Sequence, residues 1–399
     1  MTRFRLQPSP SQERALLEHC AHARFVWNLA VEQHQDWRPG RKSGPGYLEQ
    51  CRQLTAARAE FAWLRAGSQT VQQQALRDFA QAMARFFDGT CRRPTWRKAG
   101  RHEGFRIVGQ RGNQWEVRRV SRNVGQVRIP KVGWVPFRWS RPVPKDVKSF
   151  RVTKDRAGRW HVAFAAIPKP ILAPAGSEVV GIDRGVTVSA ALSTGRLLHA
   201  PSLIRPETQR LRRLQRALAR AKPGSNRRSG IKSALARLKT RETDRRKDWV
   251  EHASTALARQ FALIAVEDLN IRGMTRSARG TIDAPGQCVA AKAGLNRGIL
   301  AGGWGQLVQR LEDKAPGRLV KVSAAFTSQT CNACGHRAAS SRKSQALFRC
   351  VACGHEVNAD VNAARNIRDI AAGRAVTARE GPRITGPTHR EPQPVLLRA

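Results

Sequence analysis

The sequence has few acidic side chains for its length, and this shortage sets the first limit on function. Its 399 residues carry 29 Asp and Glu against 72 Lys and Arg, a formal net charge of +43. Such an excess opposes compaction unless a polyanion neutralises it, so nucleic acid is the expected partner. A membrane surface is the alternative, but no apolar run approaches the ~20 residues that a spanning helix needs.

Tyrosine is nearly absent, and the N-terminus lacks a targeting signal. The only tyrosine, Tyr47, falls in a Gly- and Pro-rich stretch, which argues against a transposase that attacks DNA with a tyrosine hydroxyl. The first twelve residues (MTRFRLQPSPSQ) lack the apolar core of a signal peptide, so a cytoplasmic location is expected. Four of the eight cysteines show no paired spacing and are expected as free thiols. They are Cys20, Cys51, Cys91 and Cys288.

The other four cysteines form two Cys-x-x-Cys pairs, Cys331 with Cys334 and Cys350 with Cys353. This spacing predicts a four-cysteine zinc ribbon, because each turn can place two thiolates on one tetrahedral ion. A Gly-His dipeptide follows each pair, and the glycine permits the positive φ with which such a turn closes. The sequence therefore predicts one structural zinc ion. The two histidines are expected on the surface or against nucleic acid rather than on the metal.

Three acidic residues stand where an α/β sheet would present ligands. Asp183 and Glu267 each end an apolar strand, and Asp360 opens the last helix. Converging carboxylates repel one another unless cations join them, and two Mg²⁺ would serve in phosphodiester cleavage. An aspartate that opens a helix is otherwise only a cap. Asp268 is a rival to Glu267, since strand alternation places the two on opposite faces.

Within the first 172 residues, the spacing of apolar residues changes once, from helical to strand-like. Apolar positions recur at helical spacing within 11–90, which predicts a mainly helical unit with one helix over 70–87. From about residue 104 the period becomes two, which predicts a small antiparallel barrel or sheet. Strands are expected at 2–6, 105–107, 115–117, 127–129, 150–152 and 160–164.

A proline-rich linker at 168–175 predicts a domain boundary. Beyond it, apolar runs predict further strands, and a stretch rich in small residues predicts a mobile loop. An amphipathic pattern predicts a helix over 304–314. The strands are expected at 186–192, 197–199 and 319–322, the loop at 272–294, and a disordered tail from 373.

Two basic segments are candidates for nucleic-acid contact. Residues 205–247 contain 16 Lys and Arg against 3 Asp and Glu, within a predicted helical hairpin of 206–221 and 228–260. So large an excess of basic over acidic residues favours contact with phosphates over a helix face that is merely solvated. A basic loop at 92–98 suits a phosphate backbone and one base, with a solvated surface loop as an equal alternative. The candidates are Arg210, Arg212, Arg213, Arg216 and Arg220 in the hairpin, and Arg92, Arg93, Trp96, Arg97 and Lys98 in the loop.

Together these motifs resemble the TnpB (OrfB) proteins of bacterial insertion sequences, relatives of type V CRISPR effectors. The resemblance covers nearly the whole chain. It is carried by GIDRG around Asp183, AVEDLNIRGM around Glu267, and the segments 295–315 and 327–367.

The resemblance implies α/β architecture with added helical and all-β parts. The expected fold is a RuvC-like (RNase H-type) nuclease with an inserted zinc ribbon, preceded by a wedge β-barrel that holds a helical recognition lobe. Asp183, Glu267 and Asp360 take the three acidic motif positions. The implied domains are the first wedge strand (1–10), the recognition lobe (11–90), the wedge barrel (91–172), the nuclease with its basic hairpin (173–325, hairpin 205–260), the zinc ribbon that contacts target nucleic acid (326–356), the last nuclease helix (357–372) and a disordered tail (373–399).

By the same resemblance, the protein is expected to use a guide RNA from the transposon end and to cut double-stranded DNA beside a short transposon-adjacent motif in the bacterial cytoplasm. An RNA-guided regulator that does not cut is the alternative from another class, but three intact acids argue against it. A compact type V CRISPR effector is a variant of the first hypothesis. The sequence leaves the oligomeric state open, with a monomer favoured.

Overall fold

A computed structural model describes residues 2–35, 44–109, 112, 115–166 and 169–379, with side chains described as far as residue 373. The chain divides into two compact units, one of residues 1–168 with 203–242 and the other of 169–202 with 243–399. Within the described residues, no helix is long and apolar enough to cross a bilayer.

The first unit begins with a strand and four helices. Ser9 caps the first helix in a capping box with Gln12, and Pro10 occupies the position where a missing N–H costs nothing. The predicted helix over 70–87 is confirmed to within one residue. Tyr47, which was expected in a loop, instead opens a helix. The elements are β1 (Thr2–Arg5), α1 (Pro10–Gln33), α2 (Tyr47–Glu60), α3 (Ala62–Ala66) and α4 (Gln69–Phe87).

Six antiparallel strands follow, and all five that were predicted beyond residue 100 are present. One sheet has the order β1-β7-β6-β2 and another the order β3-β4-β5, and an isolated bridge from Leu6 to Phe137 links them. Buried Phe79 of α4 belongs to the same apolar core as Phe150 and Phe164. The strands are β2 (Gly104–Val108), β3 (Glu116–Arg119), β4 (Val124–Ile129), β5 (Gly133–Arg138), β6 (Ser149–Lys154) and β7 (Trp160–Ala165).

The basic segment forms the predicted pair of helices, α5 (Arg205–Arg220) and α6 (Asn226–Gln260). The Arg241 guanidinium lies 2.9 Å from the Glu207 carboxylate across the pair. Arg228 donates to the carbonyls of Leu218 and Ala221 near the turn, at 2.6 and 2.8 Å. The two helices therefore lie side by side as a hairpin.

The second unit is built on a five-stranded sheet of order β10-β9-β8-β11-β12. Strands β8, β11 and β12 are parallel, while β9 is antiparallel to β8 and β10 to β9. The elements are β8 (Val179–Asp183), β9 (Ala190–Leu192), β10 (Leu197–Leu198), β11 (Leu263–Glu267), α7 (Ile271–Met274), α8 (Val289–Ala301), α9 (Trp304–Lys314), β12 (Leu319–Val322), β13 (Leu347–Arg349), β14 (Glu356–Asn358) and α10 (Ala359–Arg379).

Strand alternation divides this sheet into two apolar faces. Ile264 and Val266 pack on one face with residues of α6 and α9, such as Leu257 and Leu311. Ala265 packs on the other face with Ile367 and Ala371 of α10. A Cβ on Gly181 would lie 1.9 Å from the Ala364 carbonyl oxygen, so only glycine permits α10 to approach β8 so closely.

Three expectations for the second unit are corrected. The strand predicted over 186–192 begins only at Ala190. The loop predicted over 272–294 is interrupted by α7 and by α8, which starts at Val289. The last helix runs to Arg379 rather than 372, so the expected disorder is wrong for 373–379. The rest of the predicted tail, 380–399, lies outside the described residues.

Candidate active site and metal centre

Asp183 and Glu267 meet at the carboxyl edge of the sheet. Ile182 pairs with Val266 in the parallel ladder, so the next residues on each strand, Asp183 and Glu267, are level with one another. Glu267 shares the face of Ala265, which α10 covers, and it is 8% exposed. Asp268 points the other way and is exposed. Strand alternation therefore favours Glu267 over its rival.

Asp360 reaches the same edge from the first turn of α10. The Asn358 side chain accepts from the backbone N–H groups of Asp360 and Val361, at 3.0 and 3.2 Å, and so caps the helix. A Cβ on Gly185, two residues beyond Asp183, would lie 3.7 Å from Asp360 Oδ2. The structure thus brings together the three acids that the sequence singled out.

The electrostatics of this site oppose three ionised carboxyls. Burial, followed by the charges of Glu267 and Asp360, raises the pKa of Asp183 from 3.8 to about 8. Burial also raises the pKa of Glu267, although the Arg184 charge opposes this shift. Asp360 behaves likewise, because burial raises its pKa while Arg342 lowers it. The raised pKa values favour the protonated forms of these carboxyls, and a bound cation would favour the ionised forms.

Two arginines beside the acids were not singled out from the sequence. The Arg184 side chain is buried and donates to the Glu267 backbone carbonyl, so it joins the two strand ends. Arg342 belongs to the segment between the two cysteine pairs, and its guanidinium lies 3.3 Å from Asp360 Oδ1. The GIDRG motif contains Arg184 and could have drawn attention to it. Nothing in the sequence distinguishes Arg342 from the many other arginines.

The four cysteines form the second centre. Their sulfurs all lie within 4.8 Å of one another, with 3.8 Å between Cys331 and Cys353 and 3.6 Å between Cys334 and Cys350. A tetrahedral zinc with bonds of 2.3 Å requires sulfur separations of about 3.8 Å. The cluster therefore fits a metal such as zinc.

The same backbone turn builds both halves of the cluster. Gly335 N–H donates to the Cys331 carbonyl at 2.9 Å, and Gly354 N–H donates to the Cys350 carbonyl at 3.0 Å. Both glycines have positive φ, 74° and 71°, as predicted from the Gly-His pairs. Among the described residues, no other group of three or more potential ligands is so tight, so the three carboxylates are spaced more widely than the sulfurs.

Hydrogen bonds tie the cysteine cluster to α10. Asn366 donates to the carbonyls of Thr327 and Thr330 at 2.8 and 2.7 Å. Asn362 also donates to Thr330 at 2.7 Å and accepts from the Asn332 backbone N–H at 3.0 Å. The two asparagines are one helical turn apart, so both face the chain that enters the first Cys-x-x-Cys turn. The Thr327 hydroxyl in that chain interacts with the Glu267 carboxyl.

The predicted nucleic-acid residues differ in their exposure. The five candidate arginines of α5 are all exposed. In the loop at 92–98, the Arg93 guanidinium turns inward to the carbonyls of His34 and Gln35. Arg97 also turns inward and stacks over Trp27 at 3.5 Å. Of the five candidates in this loop, Arg92, Trp96 and Lys98 stay exposed.

Comparison with known proteins reveals relatives over most of the chain. Residues 164–278 match a family described as a probable transposase (OrfB_IS605), residues 1–42 its helix-turn-helix domain, and residues 304–367 a Cas12f1-like TNB domain. The putative RNA-guided DNA endonuclease InsQ of Escherichia coli (strain K12) is 34% identical over 87% of this chain and 86% of its own length. A putative RNA-guided DNA endonuclease of Streptomyces pristinaespiralis is 31% identical over 84% of this chain and 80% of its own.

The fold is also similar to a solved structure. The Cas12f1 chain in a Cas12f1-sgRNA-target DNA complex aligns with 90% of this chain and 82% of its own length. The TM-score is 0.52 at 15% sequence identity, which supports a shared fold.

Proposed function

Because the chain belongs to the TnpB (OrfB) family, we propose that it is an RNA-guided DNA endonuclease of an insertion sequence. In this proposal, it binds a guide RNA from the transposon end and cuts complementary double-stranded DNA beside a transposon-adjacent motif, as a monomer in the bacterial cytoplasm. The observation that carries the proposal is the meeting of three carboxyls, from Asp183, Glu267 and Asp360, at the edge of the sheet where the parallel strands β8 and β11 end.

The donor set suits magnesium. Carboxylate oxygens are the ligands that Mg²⁺ prefers, and wide spacing leaves room for its waters. Asp183, Glu267 and Asp360 would hold two Mg²⁺, which when bound activate water and stabilise the leaving oxygen. Arg342, on the zinc-ribbon segment, offers a fixed positive charge to the phosphate at the same edge. The four cysteines would hold one structural zinc ion.

The strand order supports the finer description of the fold. In the second unit, β8, β9 and β10 form a meander, and the parallel strands β11 and β12 extend the sheet on the other side of β8. This order, with one antiparallel strand beside β8, agrees with a RuvC-like (RNase H-type) nuclease. The two antiparallel sheets of the first unit would be the wedge and its helices the recognition lobe.

The proposal is tested by replacing Asp183 with alanine in the complex with its co-purified RNA. Guided cutting in Mg²⁺ should fall by several orders of magnitude, because metal activation supplies several kcal/mol. Binding of guide RNA and target DNA should persist, since no carboxyl is needed for base pairing.

The matched control is Asp268→Ala, which removes the exposed carboxyl next to Glu267 in the sequence. This variant should keep most activity. Wild-type cutting by Asp183→Ala would refute the assignment of the acids. Wild-type protein that binds guided DNA without ever cutting would favour the regulator instead.

The basic face of α5 is proposed to bind RNA or the guide–target duplex. Replacing Arg210, Arg213 and Arg220 with glutamine should weaken RNA binding and flatten its salt dependence, since each phosphate contact releases counterions. The apparent affinity is measured by filter binding between 50 and 300 mM salt. An unchanged affinity and an unchanged slope would show that these arginines are merely solvated.

A further inference from the structure

A cavity of about 420 Å³ opens in the first unit between α1, α4 and the sheet strands β2, β6 and β7. Its size falls in the range of small-molecule sites, roughly 300–1,000 Å³, and exceeds what a bare phosphate requires. Four arginines and one aspartate give the lining its charge. They are Arg85, Arg97, Arg106, Arg151 and Asp78.

The aspartate neutralises only part of this charge. Asp78 Oδ2 lies 2.7 Å from Arg151 and Asp78 Oδ1 lies 3.7 Å from Arg106, so one carboxylate orients two guanidinium groups. Arg106 also donates to the Ser149 hydroxyl at 3.4 Å. Four arginines against one aspartate leave a surplus of three positive charges in the lining. The Asp78 charge also acts on Arg97, but among the described residues no salt bridge joins Asp78 to Arg97 or Arg85.

Hydrogen bonds and ring stacking fix the position of Arg97 in the cavity wall. Its backbone is fixed to the Asn28 side chain by two hydrogen bonds of 2.8 and 3.1 Å. Its guanidinium stacks 3.5 Å from the Trp27 ring, and that indole donates to the Thr95 carbonyl at 2.9 Å. Among the described residues, no hydrogen-bond acceptor lies against the guanidinium, although Arg97 is half-buried. Burial lowers the pKa of Arg97 to about 10, so it remains charged at neutral pH.

We propose that this cavity binds one nucleotide of a nucleic-acid strand, with its phosphate held by Arg97 and Arg151 and its sugar and base within the remaining space. The proposal rests on the proposed function, since the strand would come from the guide RNA or the target DNA. A guanidinium stacked on an aromatic ring keeps its edge donors free, which is the geometry for bidentate phosphate recognition. Arg85, exposed at the C-terminal end of α4, adds a charge at the entrance.

The test is binding by the full chain of two probes, its co-purified RNA and a double-stranded target DNA. Arg97→Gln should lower the affinity for one of them about tenfold, since a charge-assisted hydrogen bond contributes on the order of 1.4 kcal/mol or more. The slope of log affinity against log salt should fall by about one, as one phosphate contact is lost. Loss in the RNA arm assigns the cavity to RNA, and loss in the DNA arm assigns it to DNA.

Arg101→Gln is the matched control, because this arginine is exposed in the same loop and does not line the cavity; it should leave both affinities within twofold. Arg97→Lys keeps the positive charge but loses the paired N–H donors of the guanidinium. Compared with Arg97→Gln, it should restore the wild-type salt slope and only part of the affinity. Arg85→Gln alters an exposed side chain and should lose affinity in the same arm even if Arg97→Gln folds poorly.

Wild-type affinity and salt slope for both Arg97→Gln and Arg85→Gln, with both probes, would overturn the cavity assignment. That result would leave the proposed function intact if the same variants still cut guided DNA. Failure of the proposed function has a different signature, because wild-type protein would then not cut at all.

Discussion

The acidic site and the cysteine cluster both consist of side chains of kinds that can bind metals, but they are assembled in opposite ways. The four cysteines lie within 331–353 and come from one turn used twice. The acids come from residues 183, 267 and 360, and meet only because two strands are in register and α10 crosses over them. The cysteine cluster is therefore a local construction, whereas the acidic site depends on the whole second unit.

The two sites also differ in what their ligands do without metal. Buried carboxyls repel one another, and the raised pKa of Asp183 records that cost. The cysteines behave differently, because a backbone hydrogen bond from Cys353 lowers the pKa of Cys350 to about 6. Although a backbone hydrogen bond from His336 opposes the shift, hydrogen bonds with the neighbouring sulfurs raise the pKa of Cys334 to about 12. Asn362 and Asn366 connect the sites, since both hold the chain that enters the first cysteine turn while Asp360 starts the same helix.

The largest effect that separates the two sites is expected from removing the zinc ligands. Cys331→Ser combined with Cys350→Ser should reduce bound zinc from one ion per chain to none and loosen 326–357, because structural zinc contributes much of a ribbon's folding energy. Guided cutting should fall as well, through the attachment to α10. Elemental analysis and hydrogen exchange measure these changes.

The control for zinc loss is Cys91→Ser combined with Cys288→Ser, which alters two exposed cysteines outside the cluster and should keep both zinc and activity. Wild-type protein that purifies without zinc would contradict the prediction. Normal cutting by zinc-free protein would show that the acidic site is independent of the ribbon.

A smaller effect is expected from breaking the connection alone. Asn366→Asp keeps the shape but removes the two hydrogen bonds to Thr327 and Thr330, and sets a carboxylate against two carbonyls. We expect a loss of stability of about 2 kcal/mol and a more than tenfold slower cut, with zinc retained. Thermal melting, zinc analysis and cleavage rates are compared with Asn226→Asp, the same change at an exposed position of α6. Slow cutting with zinc lost would place the effect in the ribbon itself.

The smallest effect concerns stability in the absence of metal. A carboxyl whose folded pKa is raised from 3.8 to about 8 stabilises the fold fully below pH 4, and this contribution disappears as pH rises towards 8. At pH 8, Asp183→Asn should therefore have a higher melting temperature than wild type and a free energy of unfolding that is larger by at least about 1 kcal/mol. Near pH 4 this difference in stability should vanish.

Adding Mg²⁺ should raise the melting temperature of wild type more than that of Asp183→Asn, because the variant lacks one ligand. Asp268→Asn, an exposed carboxyl beside the site, should match wild type throughout. If the melting temperatures of wild type and Asp183→Asn differed by the same amount at every pH from 4 to 8, the acids would not repel one another.

Local patterns predicted much of the fold. The helix Trp304–Lys314 and the strand Leu319–Val322 were predicted at their observed bounds, because their apolar spacing is regular. Strand β5 was missed, since Pro136 interrupts its pattern and is tolerated at a sheet edge. Helix α8 was missed because its sequence is rich in small residues and only Ile299 is buried.

By itself, the sequence determined the cysteine cluster, since two identical turns within one short segment need no distant contact. It also determined the surplus of positive charge, which predicts nucleic acid as the partner. That Glu267 rather than Asp268 lies beside Asp183 was decided only by the tertiary structure, because the face of β11 that α10 covers is set by packing. Packing likewise placed Arg342 beside Asp360 and turned Arg97 from a surface loop into a cavity wall. These contacts join residues far apart in the chain, and no local pattern encodes them.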